Sequence, residues 1–118
     1  MSSITKEIFK AGDYIFFEGD VEAHFFIIET GHVKIFTKNK QGQIMDLARL
    51  GPGDTFGEFA LINSGRRTAS ALAETDTKLM KISEEGYHIM LEDLPLWASS
   101  MLKSFSKRLK DMNTAMKN

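Results

Sequence analysis

Residues 57–70 read GEFALINSGRRTAS, and this stretch places a glutamate and a short turn ahead of an arginine–threonine pair. A helical turn that starts near Glu58 would leave the amides of Ala60 and Leu61 without partners, at the helix end where an anion is favoured. Arg67, returning on the next strand, could hold the same anion with its planar fork of donors. The carboxylate of Glu58 would repel an anion, but it can accept a hydrogen bond from a hydroxyl group of the same ligand. The stretch therefore indicates a compact phosphorylated sugar as the ligand.

The stretch resembles the phosphate-binding cassette of the cyclic nucleotide-binding domain family, in the version found in cyclic-nucleotide-gated and hyperpolarisation-activated channels and in activators of the catabolite type. That cassette reads roughly Gly-Glu-x-Ala-Leu, a short variable segment, then Arg-Thr/Ala-Ala-Ser/Thr, and residues 57–61 and 67–70 match it in one register. The resemblance implies that Glu58 binds the ribose 2′-hydroxyl, while the amides of the turn and Arg67 hold the cyclic phosphate. Thr68 would lie beside both phosphate and base. The candidate ligand-binding set also includes Gly57, Phe59, Ala69 and Leu50.

The resemblance also gives the end of the chain a role as a lid over the ligand. It implies that Arg108 approaches the bound nucleotide or Glu58, and that Met112 lies over the purine. Thr68 is compatible with either purine, and we favour cyclic AMP slightly over cyclic GMP. Binding is expected to reposition the final helix and so to act on an effector domain or protein that the sequence does not identify. The same helix could also pair with a second copy of the chain in a homodimer.

Composition is consistent with one soluble domain over residues 1–118. A hydrophobic content of 42% supports a modest core, and the formal charge of -1 gives no general reason to bind nucleic acid or an anionic membrane. The chain contains no cysteine, which excludes disulfides and thiolate chemistry. No long apolar run or signal-peptide pattern is present, so we expect a cytoplasmic protein.

The first part of the chain, about residues 7–83, predicts an antiparallel β-roll or jelly roll of about eight strands. Short β-rich runs at regular spacing are separated by Gly and Asp turn signals, as in a sandwich or barrel. In residues 33–38, VKIFTK, odd and even positions alternate as in a half-buried strand. Residues 12–20, GDYIFFEGD, match the opening motif of the resembling family, which extends the resemblance over nearly the whole β region. The candidate strands are residues 8–9, 14–17, 24–29, 32–37, 44–50, 68–73 and 78–82.

The second part, about residues 84–116, predicts two helices. Ser83 is a candidate N-cap with two glutamates in the following turn. Pro95 separates the helices, because proline fits the first turn of a helix but not its interior. The second helix carries an apolar stripe at spacings of three and four. Its members are Leu94, Trp97, Met101, Phe105, Leu109, Met112 and Met116.

Two other functional hypotheses stay open at this stage. One is a structural or protein-interaction β-roll whose pocket binds no nucleotide. The other is a metal-dependent β-barrel enzyme, which normally needs clustered histidines, whereas His24, His32 and His88 form no His-x-His or His-x-x-x-His pair. No catalytic triad or phosphoryl-transfer signature is visible either. We therefore expect a binding module without a metal and without catalytic activity.

An alternative interpretation also applies to the two charged residues of the cassette. Glu58 and Arg67 could form an ordinary surface ion pair with no ligand between them. Adjacent strand residues point to opposite faces, so only one of the two neighbouring arginines can face a pocket. The cassette spacing selects Arg67, and Arg66 is expected to point away.

Overall fold

The computed structural model describes residues 4–61 and 65–116. In these residues the chain forms eight β-strands, one short 3₁₀ helix at Glu58–Leu61 and two C-terminal α-helices. The strands are β1 (Ile4–Phe9), β2 (Tyr14–Phe16), β3 (His24–Thr30), β4 (Val33–Lys38), β5 (Ile44–Leu50), β6 (Thr55–Phe56), β7 (Ser70–Ala73) and β8 (Thr77–Ser83), and the helices are α1 (Glu84–Glu92) and α2 (Leu96–Met116).

The strands form two antiparallel four-stranded sheets that confirm the predicted fold class. One sheet has the order β1-β8-β3-β6 and the other the order β2-β7-β4-β5. Side chains from both sheets meet in one apolar core, where Ile28, Val33 and Leu79 are at most 1% exposed. Aromatic rings occupy the end of this core nearest Arg67, with Phe26 and Phe56 stacked at a centroid distance of 5.1 Å.

Strand β4 keeps the alternating faces predicted for residues 33–38, but burial does not follow the same alternation. Val33 and Phe36 are both buried, at 0% and 3% exposure, although three positions separate them. The pairing of β4 with β5 shifts register between Ile35 and Phe36. The extra residue lies on β5, because Leu47 falls between Ala48 and Asp46, the partners of Ile35 and Phe36. The two faces of β4 still alternate, since Lys34 Nζ lies 5.4 Å from the ring centroid of Phe36 on the same face. Phe36 is covered on that face by Tyr14, at a ring-centroid distance of 6.0 Å.

Several strand boundaries also differ from the sequence prediction. Strand β1 begins at Ile4 because its whole length pairs with β8, with Ile4 opposite Ile82. The two-residue strand β6 was not predicted, since a segment this short shows no periodicity. Strand β7 begins at Ser70 rather than at residue 68, because the chain before it bonds to a turn instead of a strand. In that region the Arg67 amide donates to Asp20 O at 2.7 Å.

The two C-terminal helices begin as their capping signals predict. The Ser83 hydroxyl accepts a hydrogen bond from the Gly86 amide at 3.0 Å, which confirms the N-cap of α1. The Pro95 carbonyl accepts the amides of Ala98 and Ser99, at 3.0 and 3.1 Å. Leu94 therefore precedes α2, and the stripe predicted to include it starts one turn later.

Helix α2 leaves its large apolar side chains largely uncovered. Over residues 96–112 their exposure ranges from 40% at Leu102 to 81% at Leu96. The side chain of Met116, the last member of the predicted stripe, lies outside the described part of the structure. None of the described helices is both long and apolar enough to cross a membrane.

Candidate anion-binding site

The turn between β6 and the short helix brings backbone close to an arginine. Gly57 has a φ of +82°, and a Cβ added there would lie 2.8 Å from Arg67 Nη1 and 3.4 Å from His24 O. Only glycine meets both the left-handed backbone and this close approach without strain. The turn lets the chain leave β6 and enter Glu58–Leu61 directly above the aromatic end of the core.

Arg67 is a buried cation with unused hydrogen-bond donors. The residue is 3% exposed, and its Nη1 donates to Gly57 O at 2.8 Å. Its guanidinium carbon lies 4.1 Å from the ring centroid of Phe16, as in a cation–π contact. Its Nε and Nη2 have no hydrogen-bond partner within the described residues. Two charged donors buried in this way leave room for an acceptor that the described residues do not supply.

The surroundings of Arg67 make the charge costly and so favour an anion. Burial lowers the pKa of Arg67 from its ordinary value, and the carboxylates of Glu22 and Asp20 oppose this effect. A guanidinium nevertheless keeps its proton in proteins, so the group remains charged. Arg66 is exposed and meets Val21 in an isolated β-bridge, as expected for the residue on the opposite face.

Glu58 and Arg67 do not form the surface ion pair of the alternative interpretation. Glu58 Oε2 accepts a hydrogen bond from Thr55 Oγ1 at 2.6 Å, whereas Arg67 bonds to Gly57. Among the described residues neither side chain takes part in a salt bridge with the other. The physical reason is burial, because Arg67 lies beneath the turn while Glu58 stays exposed at its rim.

The short helix differs in one respect from the sequence prediction. The amide of Ala60, which was expected to be unpartnered, donates to Gly57 O at 3.3 Å. The tight i to i+3 winding of a 3₁₀ helix produces this bond. Gly57 O thus accepts from both Ala60 and Arg67, and Arg67 is the stronger candidate to hold an anion.

Most of the predicted site residues line one cavity of about 290 Å³. It is bounded by the turn and the arginine on one side and by the β4–β5 hairpin on the other. The predicted residues that line it are Gly57, Glu58, Ala60, Arg67, Thr68, Ala69 and Leu50. The side chain of Phe59 lies outside the described part of the structure.

A model of the cyclic nucleotide-binding domain matches residues 6–93. This chain belongs to the cyclic nucleotide-binding domain family. It is 34% identical over 111 residues to the cyclic AMP receptor protein of Thermus thermophilus, covering 94% of this chain and 51% of that protein. It is 37% identical over 99 residues to the human potassium/sodium hyperpolarization-activated cyclic nucleotide-gated channel 4, covering 80% of this chain and 8% of the channel.

Solved structures agree with this family assignment. The cAMP-bound form of the EAL enzyme Bd1971 superposes with a TM-score of 0.73 at 27% identity, covering 96% of this chain and 30% of that one. This chain spans about half the length of the receptor protein and a small part of the channel.

Helix α2, the expected lid over the ligand, has no described side chain that lines the 290 Å³ cavity. Arg108 and Met112 are both exposed, Met112 at 59%, and neither lines the 290 Å³ cavity. Among the described residues Arg108 and Glu58 form no salt bridge, and Glu58 accepts a hydrogen bond from Thr55. The approach of Arg108 to a bound nucleotide or to Glu58 stays a prediction. The neighbouring face of α2, with Leu102, Phe105 and Leu109, points toward the β-roll.

That face of α2 borders a second and larger cavity of about 720 Å³. Leu61, predicted for the ligand site, lines this cavity rather than the smaller one. Thr55 and Glu58 line both cavities. The remaining apolar wall consists of Phe25, Tyr87, Leu91, Leu102, Phe105 and Leu109.

Sequence reasoning missed five residues of the smaller cavity, namely Phe16, Ile35, Leu47, Thr55 and Phe56. Leu47 and Ile35 lie on paired strands, and the alternation of their hairpin was a usable signal for residues that face a common side. Phe16 and Phe56 form the aromatic floor beneath Arg67. No local pattern distinguishes such a floor from the rest of a core.

The described residues form no evident metal-binding site. No group of three or more His, Asp or Glu side chains there lies close enough together to hold a metal ion. His24 Nδ1 approaches Glu22 Oε1 at 3.2 Å but without the alignment of a hydrogen bond.

Proposed function

We propose that this chain is a regulatory module that binds a cyclic purine mononucleotide, with cyclic AMP favoured slightly over cyclic GMP. The observation that carries the proposal is the buried guanidinium of Arg67 beside a cavity of about 290 Å³. Two of its donors have no partner among residues 4–61 and 65–116. Charge-assisted bonds from a planar guanidinium suit the two exocyclic oxygens of a cyclic phosphate. The names of a relative and a structural neighbour, which mention cyclic AMP, support this ligand class.

Other residues fit complementary parts of the same ligand. Glu58 Oε1 receives no hydrogen bond from the part of the chain that the structure describes, and it would accept the ribose 2′-hydroxyl. The apolar side chains of Leu47, Leu50 and Ile35 would lie against the base. Thr68 has a hydroxyl at the cavity wall that either purine could use.

Binding would be transmitted through α2 to an effector domain or protein, with the whole chain acting as one binding domain. The support is the 720 Å³ cavity beside Glu58, which leaves space for the apolar face of α2 to move toward the roll. A ligand can shift α2 only by binding one of its positions more tightly than the other. The exposed stripe on α2 would also allow two copies to pair through this helix. A regulatory role of this kind requires no catalysis.

Calorimetric titration with cyclic AMP and cyclic GMP tests the proposal, with Arg67→Ala and Arg66→Ala as a matched pair. Removing one partner of a buried charge pair costs about 2–5 kcal/mol, so Arg67→Ala should weaken binding by about tens- to thousandsfold. Arg66→Ala removes the same side chain from the exposed face and should change affinity little.

Three results would contradict parts of this proposal. No heat with either nucleotide favours the β-roll whose pocket binds no nucleotide. Equal losses in the two arginine variants would show that Arg67 is not the phosphate ligand. A clear preference for cyclic GMP that Thr68→Ala removes would reverse the choice of base.

A further inference from the structure

Thr55 makes a short hydrogen bond to Glu58, the residue proposed to bind the ribose. Its hydroxyl donates to Glu58 Oε2 at 2.6 Å, the shortest bond described at the site. The neighbouring Phe56 points into the core at 3% exposure, so Thr55 faces the opposite side of β6. The left-handed turn at Gly57 then folds Glu58 back over Thr55. The bond is thus a product of the strand and turn together.

The position of this pair connects it with the ligand cavity. Thr55 and Glu58 line both the 290 Å³ cavity and the 720 Å³ cavity under α2. Glu58 is exposed, and an exposed glutamate without a fixed partner samples several rotamers. The bond from Thr55 selects one of these rotamers and leaves Oε1 available on the carboxylate.

We propose that Thr55 is a positioning residue that orients the Glu58 carboxylate to accept the ribose 2′-hydroxyl of a cyclic nucleotide. This inference rests on the proposed function. A hydroxyl group has one proton to donate, and Glu58 already receives it. Thr55 therefore acts on the ligand through Glu58, and its effect depends on the presence of the 2′-hydroxyl.

The test measures the affinities of cyclic AMP and of 2′-deoxy cyclic AMP for Thr55→Val and Thr55→Ser. Valine keeps the branched shape that suits β6 but has no hydroxyl, whereas serine keeps the hydroxyl. Thr55→Val should weaken cyclic AMP binding by about two- to tenfold, the value of one hydrogen bond, and should leave the 2′-deoxy analogue unchanged. Thr55→Ser should bind cyclic AMP like the wild type.

Thr37→Val provides a matched control. Thr37 Oγ1 donates to Glu18 Oε1 at 2.7 Å, another exposed threonine–glutamate bond on a strand, and Thr37 lines neither cavity. This variant should bind both nucleotides like the wild type. Thr55→Ala serves as a second hydroxyl-free variant if Thr55→Val does not fold.

The outcomes separate this inference from the proposed function. If the wild type binds cyclic AMP and Thr55→Val binds it equally well, the positioning role is overturned while the proposed function stands. Equal weakening for cyclic AMP and its 2′-deoxy analogue would show a merely structural role and would also overturn it. A wild type that binds neither nucleotide overturns both.

Discussion

Gly57 occupies a backbone position at the candidate site that no other residue can take without strain. Its φ is +82°, and an added Cβ would lie 2.8 Å from the guanidinium of Arg67. Gly53 offers a comparison within the same segment, because its φ is +89° and nothing lies within 4 Å of its added Cβ. Both glycines have a left-handed backbone, and only at Gly57 would an added Cβ also contact Arg67.

Gly57→Ala should therefore destabilise the protein more than Gly53→Ala. The left-handed backbone alone costs an alanine about 1–2 kcal/mol, and Gly57→Ala adds the displacement of Arg67. Urea unfolding compares the two free energies of unfolding, and titration with cyclic AMP should show weaker binding for Gly57→Ala alone. If the two variants were equally destabilised and Gly57→Ala bound cyclic AMP like the wild type, the close contact with Arg67 would not explain why residue 57 is glycine.

At the scale of elements, helix α2 is the part of the structure least covered by the rest. Its Leu102, Phe105 and Leu109 border the 720 Å³ cavity yet stay at least 40% exposed. A helix with few buried apolar contacts opens at low free energy, so its amides exchange readily. A ligand that draws α2 toward the roll would increase its protection.

Hydrogen exchange with and without cyclic AMP tests this behaviour of α2. Exchange of the amides of residues 103–116 should slow when the ligand is bound. The amides of β1, none of whose residues lines the 720 Å³ cavity beside α2, should change little. Deleting the chain from Lys107 onward should also weaken binding. Unchanged exchange in α2 at saturating ligand would exclude this helix from the response.

The sequence predicted elements well where local chemistry determines them. Ser83 caps α1 because its side chain reaches an amide three residues on, which depends on nothing distant. The bulge at Leu47 in β5, by contrast, depends on how β4 pairs with β5, and alternation alone cannot reveal it. The face that α2 turns to the roll depends in the same way on long-range packing. The apolar stripe located the helix but not its rotation relative to the β-roll. The roles of Arg108 and Met112 near a bound nucleotide stay predictions.

At the scale of the whole molecule, a charged cluster beside the site links folding to pH. Lys81 Nζ lies 2.8 Å from Glu22 Oε1, and His24 Nδ1 lies 3.2 Å from the same oxygen. Burial, and then the charge of Lys81, lower the pKa of His24, against the opposing effect of Glu22. A histidine with a lowered pKa binds its proton less readily in the folded chain than in the unfolded one.

The free energy of unfolding should therefore decrease as the pH falls below about 6.5, the ordinary value for histidine. The contribution of His24 to the free energy of unfolding is fully present above that pH. It is lost as the pH falls toward the lower pKa of His24 in the folded state. Urea unfolding between pH 7.5 and 5.5 measures this, and His24→Gln should flatten the profile. His88→Gln, at an exposed position of α1, serves as the control. If the free energies of unfolding of the wild type and His24→Gln changed in parallel with pH, His24 would not be the source of the pH dependence.

The packing of Arg67 has a consequence for the kinetics of binding. Its guanidinium lies against Phe16 and is anchored on Gly57 O before any nucleotide arrives. Immobilising a flexible side chain on binding costs about 0.5–1.5 kcal/mol, and here that ordering is already complete. The arginine need not search for its conformation during an encounter. Anions of similar charge should consequently associate at similar rates, and selectivity among them should arise from differences in their dissociation rates.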